Sequence, residues 1–427
     1  MSLEEGMPIS IVATLYAITA WFMWQPKNGR RLAACVISLY GVVASCGLAL
    51  FYRSYGVYKP AGFLPFFHVY VMVLIVTVPL YRFRDGCVNV VVLPKRSLFL
   101  SYLYFVGFVC LVGLLTRLPE SISQAQDAFG NVYRTAQLMG SEKTGLSVVN
   151  LPLVIANAMA EIVPFLILCL LTVKNHRVLK CVLVACSVLW LVNWVGSAGR
   201  NGLIFYCINI TGAIILFWNV LPAKMRKQIL AVSFGLGVVL IATVVIITFS
   251  RFRDREDLPP LDSLLVYAGQ PMMHFSEYVY EARVQANGDI NFPLIRALLG
   301  LPYSASLAIR NSTWETQLDV PLGFFYTVVG DFILDFGVLP SLMIFMAISL
   351  FVLINTRTKA SVVELHELFL IYMLFLFVIQ GAFYFSYKTI TGNLQIMFMI
   401  CSYIFFRLTT VEAVNREKVE MNHQGEP

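Results

Sequence analysis

Residues 229–250 read ILAVSFGLGVVLIATVVIITFS, and residues 251–257 read RFRDRED. The first stretch is 22 residues without a charge, long enough to cross the hydrocarbon core of a bilayer as a helix. The second is a dense zwitterionic run. The boundary between them is what a membrane surface imposes on a chain. Comparable apolar stretches recur on both sides, near 8–24, 32–52, 63–80, 98–116, 148–172, 181–195, 203–220, 322–355, 364–384 and 392–407. The chain of 427 residues is 59% hydrophobic and 13% charged, with mean hydropathy +0.76. A soluble domain carries about 25% charged residues. The expected fold is therefore an all-α polytopic integral membrane protein of about eleven transmembrane helices. No linker or composition shift divides residues 1–427, so one membrane domain is expected.

The first span follows Glu4 and Glu5, not a basic segment, and has no clear small-residue cleavage site, so it reads as a span and not a signal peptide. Alternate connections are basic. One set holds Lys27, Arg30 and Arg31; Arg82, Arg84, Lys95 and Arg96; Lys174, Arg177 and Lys180; Lys224, Arg226 and Lys227; Arg357 and Lys359; and Arg407, Arg416 and Lys418. The short loops of the other set hold Arg53 and Lys59, Arg200, and Lys388. The positive-inside rule makes the first set cytoplasmic, with the N-terminus outside and the C-terminus inside. The long segments 117–147 and 250–320 then lie outside, the second as a large loop containing short helices and acting as a lid. The net charge of +7 is spread over many short loops, which speaks for topology and against nucleic-acid binding. Eight of the nine cysteines fall in apolar spans and Cys87 in a basic loop; none has metal-ligand spacing, so they read as small buried apolar residues.

Polar groups at the outer face carry the expected chemistry. The 250–320 segment holds Arg251, Arg253, Arg255, Arg283, Arg296 and Arg310, and no lysine. Arginine offers a planar fork suited to phosphate or carboxylate. Arg200 opens a span after Gly196-Ser-Ala-Gly199, where free backbone N–H groups favour anions. In Met272-Met-His274-Phe-Ser-Glu277-Tyr278-Val-Tyr280-Glu281, helical spacing sets His274, Glu277, Tyr278 and Glu281 on one face. A histidine beside carboxylates suits proton transfer, because a carboxylate orients the imidazole and stabilises its cation. The other reading is a solvated helix face. Thr327, Asp331 and Asp335 form a stripe on an otherwise apolar helix, where charges are costly and face a cavity or a partner. Loop arginines are the expected partners, in a structural or a catalytic role. Glu161 sits inside a span beside Pro164 and requires a partner or water. His68 reads as structural.

Val195-Gly-Ser-Ala-Gly-Arg200-Asn-Gly-Leu203 resembles the short Gly/Ser-Arg turn of bacterial O-antigen and oligosaccharide repeat-unit polymerases. The region from Phe292-Pro-Leu-Ile-Arg296 through Leu301-Pro-Tyr303 to Gly330-Asp331-Phe-Ile-Leu-Asp335-Phe-Gly337 is similar to the end of their long periplasmic loop and the span after it. An arginine-x10-glycine spacing of some members appears from Arg134 to Gly145, while the Trp-Pro pair common in the family loop is absent. The resemblance implies a glycosyltransferase of the bacterial inner membrane without metal or cofactor. It would pass a growing polyprenyl-pyrophosphate-linked glycan onto a new lipid-linked repeat unit at the periplasmic face. Its partners would be the polyprenyl-pyrophosphate-linked oligosaccharide, membrane lipid, a chain-length regulator and a flippase. In that reading Arg200, Arg251, Arg253, Arg255, Arg283 and Arg296 bind the pyrophosphate. His274, Glu277 or Asp331 is the base, and Tyr278, Tyr303, Tyr326, Trp314 and Asp335 meet the sugars. Three other readings stand: a ligase of the same architecture, a secondary transporter, and a non-enzymatic partner in polysaccharide assembly.

Overall fold

The structure is a computed structural model that describes residues 3–25, 29–53, 62–126, 151–173, 176–196, 200–252, 260–280, 282, 284–304, 306–358 and 361–424. The described residues are mostly helical, as the apolar stretches require: in lipid, a backbone satisfies its polar groups internally as a helix or a closed barrel. Eight helices are long and apolar enough to cross a membrane. They are α1 (Leu3–Met23), α2 (Arg31–Arg53), α3 (Phe63–Phe83), α4 (Arg96–Gln126), α7 (Arg177–Gly196), α9 (Ala223–Phe252), α14 (Val338–Asn355) and α16 (Ile390–Gln424). A ninth span is bent: α5 (Leu151–Ala160) and α6 (Val163–Leu171) meet at 57°. Two shorter apolar helices, α8 (Arg200–Phe217) and α15 (Leu365–Gln380), pass through the bundle interior. The all-α membrane architecture expected from hydropathy is therefore what the chain adopts.

The connections sort into two ends. At one end a two-stranded parallel sheet pairs β1 (Val90–Val92) with β2 (Val362–Glu364), Val90 opposite Val362. There too the Asn219 side chain donates to the Gly86 carbonyl at 2.7 Å, and Glu364 and Glu367 form a capping box at the start of α15. This end gathers the basic connections. The opposite end is the polar loop face.

The expected outer loop is largely ordered into helices. It contains α10 (Pro260–His274), a π-helical turn at Phe275–Val279, α11 (Pro293–Leu298) and α12 (Leu307–Leu318). Its first helix is no simple cover. α10 runs antiparallel against the end of α2: Asp262 pairs with Arg53, and Gly269 meets Cys46 and Gly47 further along. A Cβ on Gly269 would lie 2.6 Å from the Cys46 carbonyl, so only glycine permits this crossing. α10 thus carries His274 down into the bundle. The span expected over 322–355 divides at Gly337, φ +81°, into α13 (Thr327–Phe336) and α14. Positive φ is accessible to glycine at little cost.

Candidate active site at the loop face

His274 ends α10 and is 8% exposed. Its Nδ1 lies 3.1 Å from Gln270 Nε2, one helical turn back. The amide donates there, so Nδ1 is the acceptor and the proton sits on Nε2. Aromatic rings surround the imidazole, with centroids 4.6 Å away at Phe324, 5.4 Å at Tyr278 and 6.1 Å at Tyr326. Burial lowers the imidazole pKa to about 4, so near neutral pH it is an uncharged acceptor in an aromatic cage. Its Nδ1 partner is a neutral amide that the sequence reading had not picked out. The π-turn after His274 also shifts the helical phase of the expected stripe. His274 and Tyr278 stay in contact, Glu277 is half-buried and hydrogen-bonds to Tyr278, and Glu281 lies outside the described residues.

Asp331 and Asp335 are both buried on α13. Among the described residues, backbone amides stand in place of the expected arginine partners. Asp331 accepts the Phe385 N–H at 2.6 Å. Asp335 accepts the N–H groups of Ile290 and Asn291 at 3.1 and 3.0 Å. Three further bonds complete the seam: Ala286 N–H to the Leu334 carbonyl, Asn287 N–H to the Asp335 carbonyl, and Asn291 Nδ2 to the Asp331 carbonyl. Asp335 therefore fastens the loop and is not placed to meet a sugar. Thr327 opens α13 at φ +65°, an unfavourable conformation for a β-branched residue. The N–H groups of Thr327 and Val328 are held by the carbonyls of Phe383 and Gly381, which overdetermines the strained turn.

The arginines divide. Arg296 spends its fork inside the loop, on the Pro302 and Asn287 carbonyls at 2.9 and 2.8 Å and on Asp289 at 3.3 Å. Nε and one terminal nitrogen are thus engaged within the loop, which gives Arg296 a structural role beside the expected pyrophosphate contact. Arg310 is 1% exposed and donates to the Ser304 and Lys388 carbonyls. Arg200 is the first residue of α8 and Arg251 lies in the last turn of α9, both at the loop end of the bundle. Arg253, Arg255 and Arg283, and the Arg134 to Gly145 spacing, lie outside the described residues. Tyr303 is exposed, and Tyr326 is buried with its hydroxyl on the Pro321 carbonyl. Burial raises the Tyr326 pKa, so it remains a neutral phenol. Trp314 donates to Asp289 at 2.8 Å.

Beside the histidine cage is an apolar cleft between α8, α9 and α10, lined by Phe205, Val244, Leu264, Tyr267, Phe325 and Tyr384. Phe325 stacks on Tyr384 at 5.1 Å and 14°. Its chain neighbour Phe324 packs on His274. Two consecutive residues thus serve the two compartments.

The strap 381–389, between α15 and α16, ties these parts together. Besides the Asp331–Phe385 bond, Ser386 donates to Gln380 Oε1 at 2.7 Å and the Tyr387 hydroxyl donates to Glu161 Oε2 at 3.0 Å. Asn393 holds the Tyr387 carbonyl at 2.7 Å. Glu161 Oε1 accepts from Gln380 Nε2 at 3.2 Å, and that amide also reaches Asn209 Oδ1 at 3.0 Å. Sequence reasoning marked Glu161 as requiring a partner and missed which residues supply it. The available signal was Asn209 and Gln380, amides in largely apolar helices. Compared with family models, curated proteins and solved structures, the chain matches none.

Proposed function

We propose that this chain is a membrane glycosyltransferase. It polymerises polyprenyl-pyrophosphate-linked oligosaccharide repeat units into a surface polysaccharide at the periplasmic face of a bacterial inner membrane. The observation that carries the reading is the juxtaposition at Phe324 and Phe325. A neutral, aromatic-caged histidine stands beside an apolar cleft at the loop face. The apolar lining of the cleft suits isoprenoid carbon, and aromatic rings suit sugar faces. His274 is the acceptor-hydroxyl base in this reading, a role that requires Gln270 to release Nδ1, with Asp331 the runner-up and Glu277 beside them. The bond from Phe385 N–H to Asp331 favours a positioning role for the aspartate. Arg200 and Arg251, at helix ends on the loop face, would meet the leaving pyrophosphate. The positive-inside rule places that face outside, with the N-terminus periplasmic and the C-terminus cytoplasmic. A chain-length regulator and a flippase are the partners such a reaction would have, and the reading calls for neither a metal nor a nucleotide sugar.

The glycan profile of a deletion strain tests this reading. Loss of long chains with single capped units retained supports a polymerase. Loss of all capping with lipid-linked polymer accumulating assigns a ligase of the same architecture. A normal profile sinks both. The bent span at Glu161 favours a second reading, because secondary transporters use broken helices with intramembrane acids. That reading requires lipid-linked units to accumulate on the cytoplasmic side.

A further inference from the structure

Glu161 stands where the α5–α6 span bends by 57°, in the bundle interior and 6% exposed. Among the described residues, the groups that bind it carry no formal charge. Gln380 of α15 and Tyr387 of the strap bind its two carboxyl oxygens. Tyr372 of α15 bridges the carbonyls of Glu161 and of Asn209 on α8. Tyr384 of the strap lies within electrostatic reach. Among the described residues, Glu161 forms no ion pair. A metal ion does not suit this position, since both carboxyl oxygens already face hydrogen donors. A carboxylate without a cation in an apolar interior is unfavourable, and protonation removes the cost.

We propose that Glu161 is a proton-binding site, and that its bound proton keeps the strap 381–389 seated on the bundle. In this structure the Tyr387 hydroxyl donates to Glu161; the neutral acid forms when that hydroxyl turns to accept the acid's own proton. The Tyr387 hydroxyl is in turn hydrogen-bonded to Ser386, which donates to Gln380. Release runs along the same groups. The Glu161 proton passes to the Tyr387 oxygen, the phenol's own proton passes to Ser386 Oγ, and the Ser386 proton passes to water at the loop face. The carboxylate left behind then requires more donors than Gln380 and Tyr387 provide. Asn209 Nδ2, buried and without an acceptor, is the spare donor on the bundle side, and water is the other. Water reaching Glu161 displaces Tyr387 and with it the strap. The strap also carries Tyr384, a wall of the cleft, and Phe385, the partner of Asp331. The proton's presence is thereby read as the shape of the cleft. This inference goes beyond the transferase reading and does not rest on it, because its readout is protonation and not glycan.

The full-length protein in lipid nanodiscs provides the test, by infrared difference spectra and amide hydrogen exchange over stepped pH. The wild type should show a protonated-carboxyl band that disappears on alkalinisation. As the band is lost, exchange of the 381–389 amides should accelerate about tenfold beyond that of α2 amides. Glu161→Gln keeps the shape of the neutral acid, so it should lack the band and keep the strap protected at every pH. Tyr387→Phe retains the ring and removes the relay, and should move the pH at which the band is lost. A band that persists unchanged in Glu161→Gln overturns the proposal. So does strap exchange with the same pH profile in both proteins. Should Glu161→Gln fail to fold, a Tyr387→Phe protein with an unmoved titration overturns it equally.

Discussion

The Asp335 carboxylate accepts the backbone N–H of Asn291 at 3.0 Å across 44 residues of chain, and that of the adjacent Ile290 at 3.1 Å. The pair converts an acid inside an apolar helix into the anchor of the loop's return. A buried N–H left without its acceptor costs about 1–3 kcal/mol. Asp335→Ala should therefore destabilise the protein by roughly 3–5 kcal/mol, leaving two buried amides without an acceptor. Thermal unfolding in detergent measures this. An unaltered midpoint would show that the loop is held elsewhere.

His274→Ala should lower polymer formation by about two orders of magnitude, the range for lost general-base help, at normal abundance in the membrane. Asp331→Asn should act mainly through the strap, because the Phe385 amide is its ligand. Should His274→Ala polymerise normally while Asp331→Asn is folded and inactive, the base is the aspartate.

Acid should weaken the fold through His274. Burial lowers its pKa to about 4, against about 6.5 in an unfolded chain. Between these values the unfolded state binds a proton that the folded state excludes, so stability rises with pH across that window. Acidification through it should remove up to about 3 kcal/mol, and His274→Gln should abolish that slope. Identical pH–stability curves for the two proteins would count against a buried neutral imidazole.

Arg310→Lys should be poorly tolerated although it keeps the charge. The guanidinium reaches the Ser304 and Lys388 carbonyls with two nitrogens, and an ammonium is a point donor that cannot span both. A loss of roughly 2–4 kcal/mol is expected for a buried network of this kind. Arg200→Lys and Arg251→Lys should leave stability within about 0.5 kcal/mol and impair polymerisation. Full-length polymer from the Arg200→Lys, Arg251→Lys double variant defeats their pyrophosphate role.

Topology is open to cysteine labelling in a background with the native cysteines replaced. Thr313 and Gly323 are exposed on the loop face, so impermeant reagents should reach cysteines there from the periplasm and fail at Met225. Gln270, although inside the same outer segment, is buried against the bundle and should stay unlabelled from either side. Periplasmic labelling at Met225 would invert the orientation.

The sequence by itself determined the all-α membrane architecture, the grouping of basic loops at one end, and the position of the long polar segment. Each is a local property: an apolar run such as residues 229–250 satisfies its own backbone in lipid as a helix, whatever its neighbours are. It also marked His274, Asp331, Asp335 and Glu161 as polar groups in apolar surroundings. Only the tertiary structure decided which partners those groups meet. Helical spacing could not reveal the π-turn that rephases Glu277, nor that Gly269 lets α10 cross α2 closely enough to bury His274. The partners of the acids are distant in sequence: Asn291 for Asp335, Phe385 for Asp331, and Tyr387 for Glu161, 226 residues away. Two of the three are backbone amides, which every residue but proline carries. No pattern of side chains announces them, so packing alone selects which amide meets which carboxylate.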